Sequence, residues 1–587
     1  MPASSRTYCR AVAACVIAIV LASCGGGGGG GGSGDSPQPP GSGPPPPPAN
    51  RAPTAGDDLL RAESLATINV LSNDSDADSN PLTVTIEEAP LVGTAVPNAD
   101  GTVRLESLPS GFKGVTRFRY RVTDPGGLSS AATAVVFVGI EPFRAVLAGD
   151  ANADGSYELY VTSFASAPAL VTTATEGAQR LHSFAASPNG ATIVYRRTST
   201  TTPATSDLSF VRTATPRQDV RIAIPGGATL VPDVRPSDQY TVSDDGQWIA
   251  FIARDAQGAD AVYVLNVTTP TTVSKVNIAG TVRASQPRFA SNSQMLYVLA
   301  SAATSSINRD LYAVALDSLA VGRVSAPSVA GSADDILQYS VSLDQSRILL
   351  EANRAGGVDL YFVDATQLQN EIQVNQNLGR REQIAATTVG LPPGAGGSIN
   401  GQRVAYSVVD TRDNQLRLWV ADVSATPNPR QLSAPNARVL GFSPDDAALL
   451  YASGGNVYET RLDGTVSDQL VGPGDDAWYD STGNIVLLRQ TLPSGGTPPT
   501  YPALASAVRG AFGTAQPLGT PALAARFADA SGFDRGVVLL GEGAATRTAP
   551  ASARIALVNA MAPDKLLYLS DFQSPVQLAS SAAVLVR

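Results

Sequence analysis

Three features of this 587-residue chain predict an all-β protein, a small β-sandwich followed by a β-propeller. Short apolar runs rich in Val, Ile, Leu, Tyr and Phe alternate with turn groups of Gly, Asn, Asp and Pro. From Phe143 onward one turn-plus-strand pattern returns at intervals of roughly 50 residues, the period of propeller blades. Ahead of it, residues 51–140 hold short strands at regular spacing, which fits a sandwich. The reading divides the chain into 1–23 (export signal), 24–50 (tether), 51–140 (sandwich) and 143–587 (propeller).

The N-terminus comes first. Arg6 and Arg10 precede the apolar run Ala11 to Leu21, which ends in Leu21-Ala22-Ser23-Cys24. A helix needs about 20 apolar residues to cross a bilayer, so this shorter run reads as a cleaved signal. Leu-Ala-Ser-Cys resembles the lipobox of bacterial lipoproteins. The resemblance implies that Cys24 carries lipid and becomes the first mature residue, anchoring the chain to a membrane. The same resemblance implies, from Gly25 in place of an aspartate there, the outer membrane of the cell envelope. Cys9 and Cys15 leave with the signal, so no disulfide or thiolate metal site is expected in the mature chain. Gly25 to Gly32 then form a soft joint, and Pro44 to Pro48 a stiffer spacer.

The sandwich is read from Ala66–Leu71, Leu82–Ile86, Thr116–Thr123 and Thr133–Val138, with turns at Asn98-Ala99-Asp100-Gly101 and Asp124-Pro125-Gly126-Gly127. In Arg117-Phe118-Arg119-Tyr120-Arg121-Val122 charged and apolar residues alternate, giving one wet and one buried face. Asn50-Arg51-Ala52-Pro53, Val70-Leu71-Ser72-Asn73-Asp74, Asn80-Pro81-Leu82, Gly111-Phe112-Lys113-Gly114 and Phe118 to Asp124 resemble the cadherin-like, Ig-like repeat of bacterial surface proteins. That resemblance implies a spacer or adhesion module without catalytic groups. Asp74, Asp76 and Asp78 at alternate positions can offer oxygens to calcium. The other reading is a solvated acidic turn.

The propeller is read from turns ahead of apolar strands. They are Ser187-Pro188-Asn189-Gly190, Ser243-Asp244-Asp245-Gly246, Ser291-Asn292-Ser293-Gln294, Ser342-Leu343-Asp344-Gln345, Asn400-Gly401, Ser443-Pro444-Asp445-Asp446 and Ser481-Thr482-Gly483-Asn484. A partner strand follows by hairpin, as in Asp260–Val264, Asp310–Val314, Asp359–Val363 and Leu416–Val420. A lone blade cannot bury both faces of its sheet, and a ring of blades can. The pattern is similar to the TolB-type propeller repeat. The count favours eight blades, seven also fitting, and Thr491 to Ala530 breaks the pattern.

One loop stands apart. Asp150, Asn152, Asp154, Ser156 and Glu158 alternate around Gly155, as in a short calcium-wrapping loop. It resembles the calcium loop of FG-GAP propeller repeats. Val161 in place of a twelfth-position glutamate excludes an EF-hand. Against calcium, Glu158 holds the place of Asp310 and Asp359 in sister blades without such a loop.

Chemistry is sparse. There are 41 basic and 51 acidic residues and a net charge of −10, with lysines only at 113, 275 and 565, so no basic patch exists for nucleic acid. The one histidine, His182, lacks a Gly-x-Ser-x-Gly partner, and no hydrolase domain like that of prolyl oligopeptidase-like enzymes accompanies the repeats. The expectation is a non-enzymatic, lipid-anchored envelope protein whose propeller binds a protein or a glycan, with calcium as the one cofactor. The alternatives are a polysaccharide hydrolase or lyase, and a structural part of an envelope assembly.

Overall fold

The computed structural model describes residues 49–586 apart from 64–65, 150–156, 163, 165–167, 174–178, 200–205, 232–238, 302–307, 330–331, 343–344, 355–356, 376–381, 385–402, 411–412, 446, 464–467, 481–482, 490–503, 513–514, 519–524, 530–536, 543–553, 560–561 and 569–582. The signal, Cys24 and the tether up to residue 48 lie outside the described residues. Among those described, no helix is long and apolar enough to cross a membrane.

Among the described residues the sandwich has seven strands: β1 Asp58–Ala62, β2 Thr67–Ile68, β3 Thr83–Glu88, β4 Thr94–Pro97, β5 Val103–Glu106, β6 Gly114–Thr123 and β7 Ser129–Val138. One sheet runs β1-β7-β6-β3 and the other β2-β5-β4. β1 pairs parallel with β7, Asp58 opposite Ala134, while β6 pairs antiparallel with both neighbours. The alternation read in β6 is observed: Phe118, Tyr120 and Val122 are buried, Arg119 is exposed, and Arg117 and Arg121 are half-buried. They pack with Val70, Val103, Leu105, Ala134 and Val136 into one core. On the wet face Glu87 accepts hydrogen bonds from Arg119 and Arg121, which hold its carboxyl below the usual range.

The remainder builds antiparallel four-stranded blades, here given strands a to d. Segments 179–221, 240–275, 283–323, 335–373, 382–435, 438–473, 476–517 and 525–568 supply one each. A single parallel bridge, Asp260 to Arg283, joins the second and third of these. One further blade is shared by the ends of the propeller segment. Its strands b, c and d are Arg144–Gly149, Glu158–Thr162 and Ala169–Leu170, and its strand a is Ala583–Val586. Val146 lies opposite Val584. The described residues thus form nine blades, one more than the eight the repeat spacing favoured. The further blade is 525–568, whose strand a, Ala525–Asp529, lies at the end of the region of broken pattern.

Strand b is dry: Ile249 to Ala253 and Ile348 to Ala352 are buried without a break. Its alternate side chains enter different inter-blade cores. Ile249, Phe251 and Ala253 pack with the preceding blade, whereas Ala250 and Ile252 pack with the following one. This two-sided burial is why a blade needs neighbours. The ring closes by the same packing: Leu147 and Leu159 of the first blade share a cluster with Ile193 and Tyr195 of the second and Val537 and Leu557 of the ninth.

Candidate binding face of the propeller

The two rims of the ring differ. On one rim lie the a–b turns, and six of them span equal lengths: Ala186 to Thr192, Val242 to Trp248, Phe289 to Met295, Val341 to Arg347, Phe442 to Ala448 and Tyr479 to Ile485. Four of the six are closed by a serine. The hydroxyls of Ser187, Ser243, Ser342 and Ser443 accept the first strand-b N–H, from Thr192, Trp248, Arg347 and Ala448 at 2.9–3.1 Å. Asp480 Oδ1 does the same for Ile485. Asn189, Asp245 and Asp445 each accept the N–H two residues on, and Gly246 supplies the left-handed φ of +68°. Neighbouring turns are also bonded to each other. Thr192 Oγ1 donates to the Gly246 carbonyl, Asp245 N–H to Ser293 Oγ, and Gln345 Nε2 to Ser291 Oγ. This rim spends its polar groups on itself.

The opposite rim carries the b–c hairpins and the d–a connections. Its b–c spacers run from short, as between Arg354 and Gly357 or Ser453 and Asn456, to long, as between Arg489 and Leu504 or Glu542 and Arg554. Half-exposed arginines sit on buried acids along it. Asp260 receives Arg254 at 2.7 Å and Arg283 at 3.1 Å, Asp335 receives Arg309 at 2.6 Å, and Asp410, wholly buried, receives Arg417 at 3.1 Å. The acids thereby fix guanidinium groups at the rim while leaving faces of them toward solvent.

The innermost strands connect the rims and are irregular. The register slips at Leu181/Ser183, Ser285/Arg288, Ile336/Gln338, Val439/Gly441 and Ala525/Phe527. Each slip is a β-bulge. Two are closed by a tyrosine from the next innermost strand. Tyr240 donates to Ser183 Oγ at 2.6 Å, and Tyr339 to the Gln286 carbonyl at 2.7 Å. Burial pushes the Tyr240 hydroxyl up to about 12. His182 is the extra residue of the first bulge and is exposed, and the adjacent Ser183 hydroxyl already serves Tyr240. No alternating pattern announces such bulges in the sequence.

The predicted calcium ligands fall apart into separate roles. Asp74 Oδ1 accepts the Gly56 N–H at 2.7 Å, and its carboxylate faces the Tyr120 hydroxyl. Asp76 Oδ1 accepts the N–H groups of Asp78 and Asn80, forming the turn. Asp78 is clamped by the backbone and guanidinium of Arg51, which hold its carboxyl below the usual range. Three carboxylates engaged in three directions do not fit a calcium cage. Among the described residues no group of three or more His, Cys, Asp or Glu is gathered as a metal site. Asp150, Asn152, Asp154 and Ser156 lie outside the described residues. Glu158 is buried on its strand opposite Gly149.

Asp74 also belongs to a cluster that the sequence did not announce. The Tyr120 hydroxyl lies 2.9 Å from Asp58 Oδ2 and 3.1 Å from Asp74 Oδ2, with the Val70 carbonyl at 3.0 Å and that of Gly56 at 3.2 Å. Two carboxyl groups this close to one phenol favour retention of a proton. Burial first, then the charges of Asp74 and Asp57, push Asp58 up to about 7, against the lowering pull of the Tyr120 bond.

No curated protein matches the chain. Among solved structures it is similar to the eukaryotic initiation factor at 10% identity, over 72% of this chain and 94% of that one, with a TM-score of 0.45. TolB from Acinetobacter baumannii aligns at 14% identity over 66% of this chain and 98% of its own, with a TM-score of 0.27. The β-propeller domain of the Trilobed protease from Pyrococcus furiosus aligns at 9% identity over 68% and 100%, with a TM-score of 0.32. The family model described as Bacterial Ig domain matches residues 50–137, so this chain joins a bacterial Ig domain to a β-propeller.

Proposed function

We propose that the protein is a non-catalytic binding protein of the bacterial envelope, anchored through lipid on Cys24, and that its propeller holds a protein or glycan partner on the b–c rim. The contrast between rims supports this reading most. The a–b turns are uniform and bonded to one another, while the b–c spacers vary in length and expose arginines. Variable loops on a rigid scaffold are the usual carriers of recognition. His182 stands exposed beside an occupied serine, which argues for a structural inner strand rather than a nucleophile–base pair.

The test is capture of defined envelope proteins and a glycan panel by the full chain. The reading expects stoichiometric binding that falls at least tenfold in Arg283→Glu with Arg417→Glu, and persists in Asn189→Ala on the other rim. Turnover of a polysaccharide without a retained partner would favour the hydrolase or lyase reading. Calcium is proposed for 150–158 alone. Melting with and without chelator should then shift the wild type and leave an Asp150→Ala, Asp154→Ala chain unmoved. Replacing Cys24 with Ser is expected to abolish labelled-palmitate incorporation and release the protein from membranes.

A further inference from the structure

The Ig domain meets the ring at its seam. The Val115 N–H in β6 donates to Asn559 Oδ1 at 2.8 Å, and Asn559 Nδ2 donates to the Val115 carbonyl at 3.0 Å. Asn559 ends strand c of the ninth blade and is 1% exposed. One carboxamide therefore satisfies both backbone groups of one residue, as a paired strand would. Gly114 permits the approach, since a side-chain carbon there would collide with Asn559 Oδ1.

Apolar packing surrounds this bond pair. Val115, Val135 and Phe137 share a buried cluster with Leu147 and Leu159 of the first blade and with Val537, Leu557 and Leu567 of the ninth. The rings of Phe137, Phe143 and Phe164 meet edge to face, with centroids 5.2–6.4 Å apart. Ala562 of the ninth blade reaches into the Ig core itself. Phe143 leads into a strand b, Phe164 follows a strand c and Asn559 ends one, so these three residues lie on the a–b rim. The two blades so gripped flank the closure, which lies within the first blade, where Ala583–Val586, following the ninth blade in the chain, pairs with Arg144–Gly149.

We propose that the Ig domain is a bracket on the propeller's closing seam, holding the ninth blade against the first, so that release of the bracket and opening of the ring are one event. It departs from the spacer role that the cadherin-like resemblance implies. A spacer would turn freely about 139–143. A bracket cannot.

The experiment uses the full chain and follows two readouts, proteolysis within 139–143 and hydrogen exchange of the 583–586 amides. Asn559→Ala leaves both Val115 groups buried and unpaired, and is expected to accelerate both readouts about tenfold or more. Asn559→Asp supplies an acceptor at any pH but a donor only when protonated. It should match wild type at pH 4 and Asn559→Ala at pH 8, reversibly, each compared with wild type at the same pH. Should Asn559→Ala not fold, this switch decides alone. Exchange at 583–586 that stays at the wild-type rate while 139–143 is cleaved faster would overturn the proposal, as would no change in either readout or no pH switch in Asn559→Asp.

Discussion

Two buried acids give the sharpest predictions at the level of single residues. Asp58 is raised to about 7 in the fold from an ordinary 3.8, so between those values the native state binds more protons than the unfolded chain. Stability must then fall as pH rises through that window and level off above it. The loss is on the order of a few kcal/mol at most. Asp58→Asn should remove this slope, measured as the difference between variant and wild-type denaturation midpoints from pH 4 to 8. An unchanged slope would refute the shared-proton reading of Asp58, Asp74 and Tyr120. Glu351, on strand b between Leu350 and Ala352, is 1% exposed, and burial alone raises it to about 7. Its Oε2 has no hydrogen-bond partner among the described residues. The counterpart of Glu351 in the second blade, Arg196, bonds Gln239 across the inter-blade boundary, and in the sixth Ser407 bonds the Ala437 carbonyl. Lacking such a partner, Glu351→Gln should raise the midpoint at pH 8 and leave it unchanged at pH 4.

Among elements, the a–b turn is where sequence and structure agree most closely. Ser-x-Asp or Ser-x-Asn is legible because each atom has a local job, the hydroxyl taking the strand-b N–H and the carboxylate or amide closing the turn. Gly246→Ala should cost ~1–2 kcal/mol, since its φ is left-handed and an added carbon would press on Ser187 and Asn189. Urea denaturation checks this, and a neutral result would contradict the turn's assigned role. Strands b and c were equally readable, being long and apolar. The innermost strands were not. Arg283–Phe289 contains Pro287 and a bulge, and its side chains are mostly half-buried, so no periodicity marks it. The acidic run Asp74 to Asp78 shows a related limit. Spacing shows which oxygens can converge, but Arg51 and Tyr120, distant in sequence, determine where they point.

For the whole molecule, the repeat period predicted the ring, whereas the closure and the first blade depend on pairings between the far ends of the propeller segment. Ala583–Val586 carries no turn signature, and its place beside Arg144–Gly149 follows only from ring geometry. Likewise nothing local in Asn559 announces Val115, and the bracket emerges only when both domains are folded. Loss of the last strand should therefore affect the whole propeller: deleting 583–587 is expected to broaden and lower its thermal transition. The most direct test of a ring closed by its own ends is a cysteine pair at the facing positions Val146 and Val584. In the oxidised full chain we predict a high-yield intramolecular disulfide, seen as a reducible mobility shift, with a raised melting temperature. Absence of the cross-link under conditions where both thiols react would contradict the closed ring.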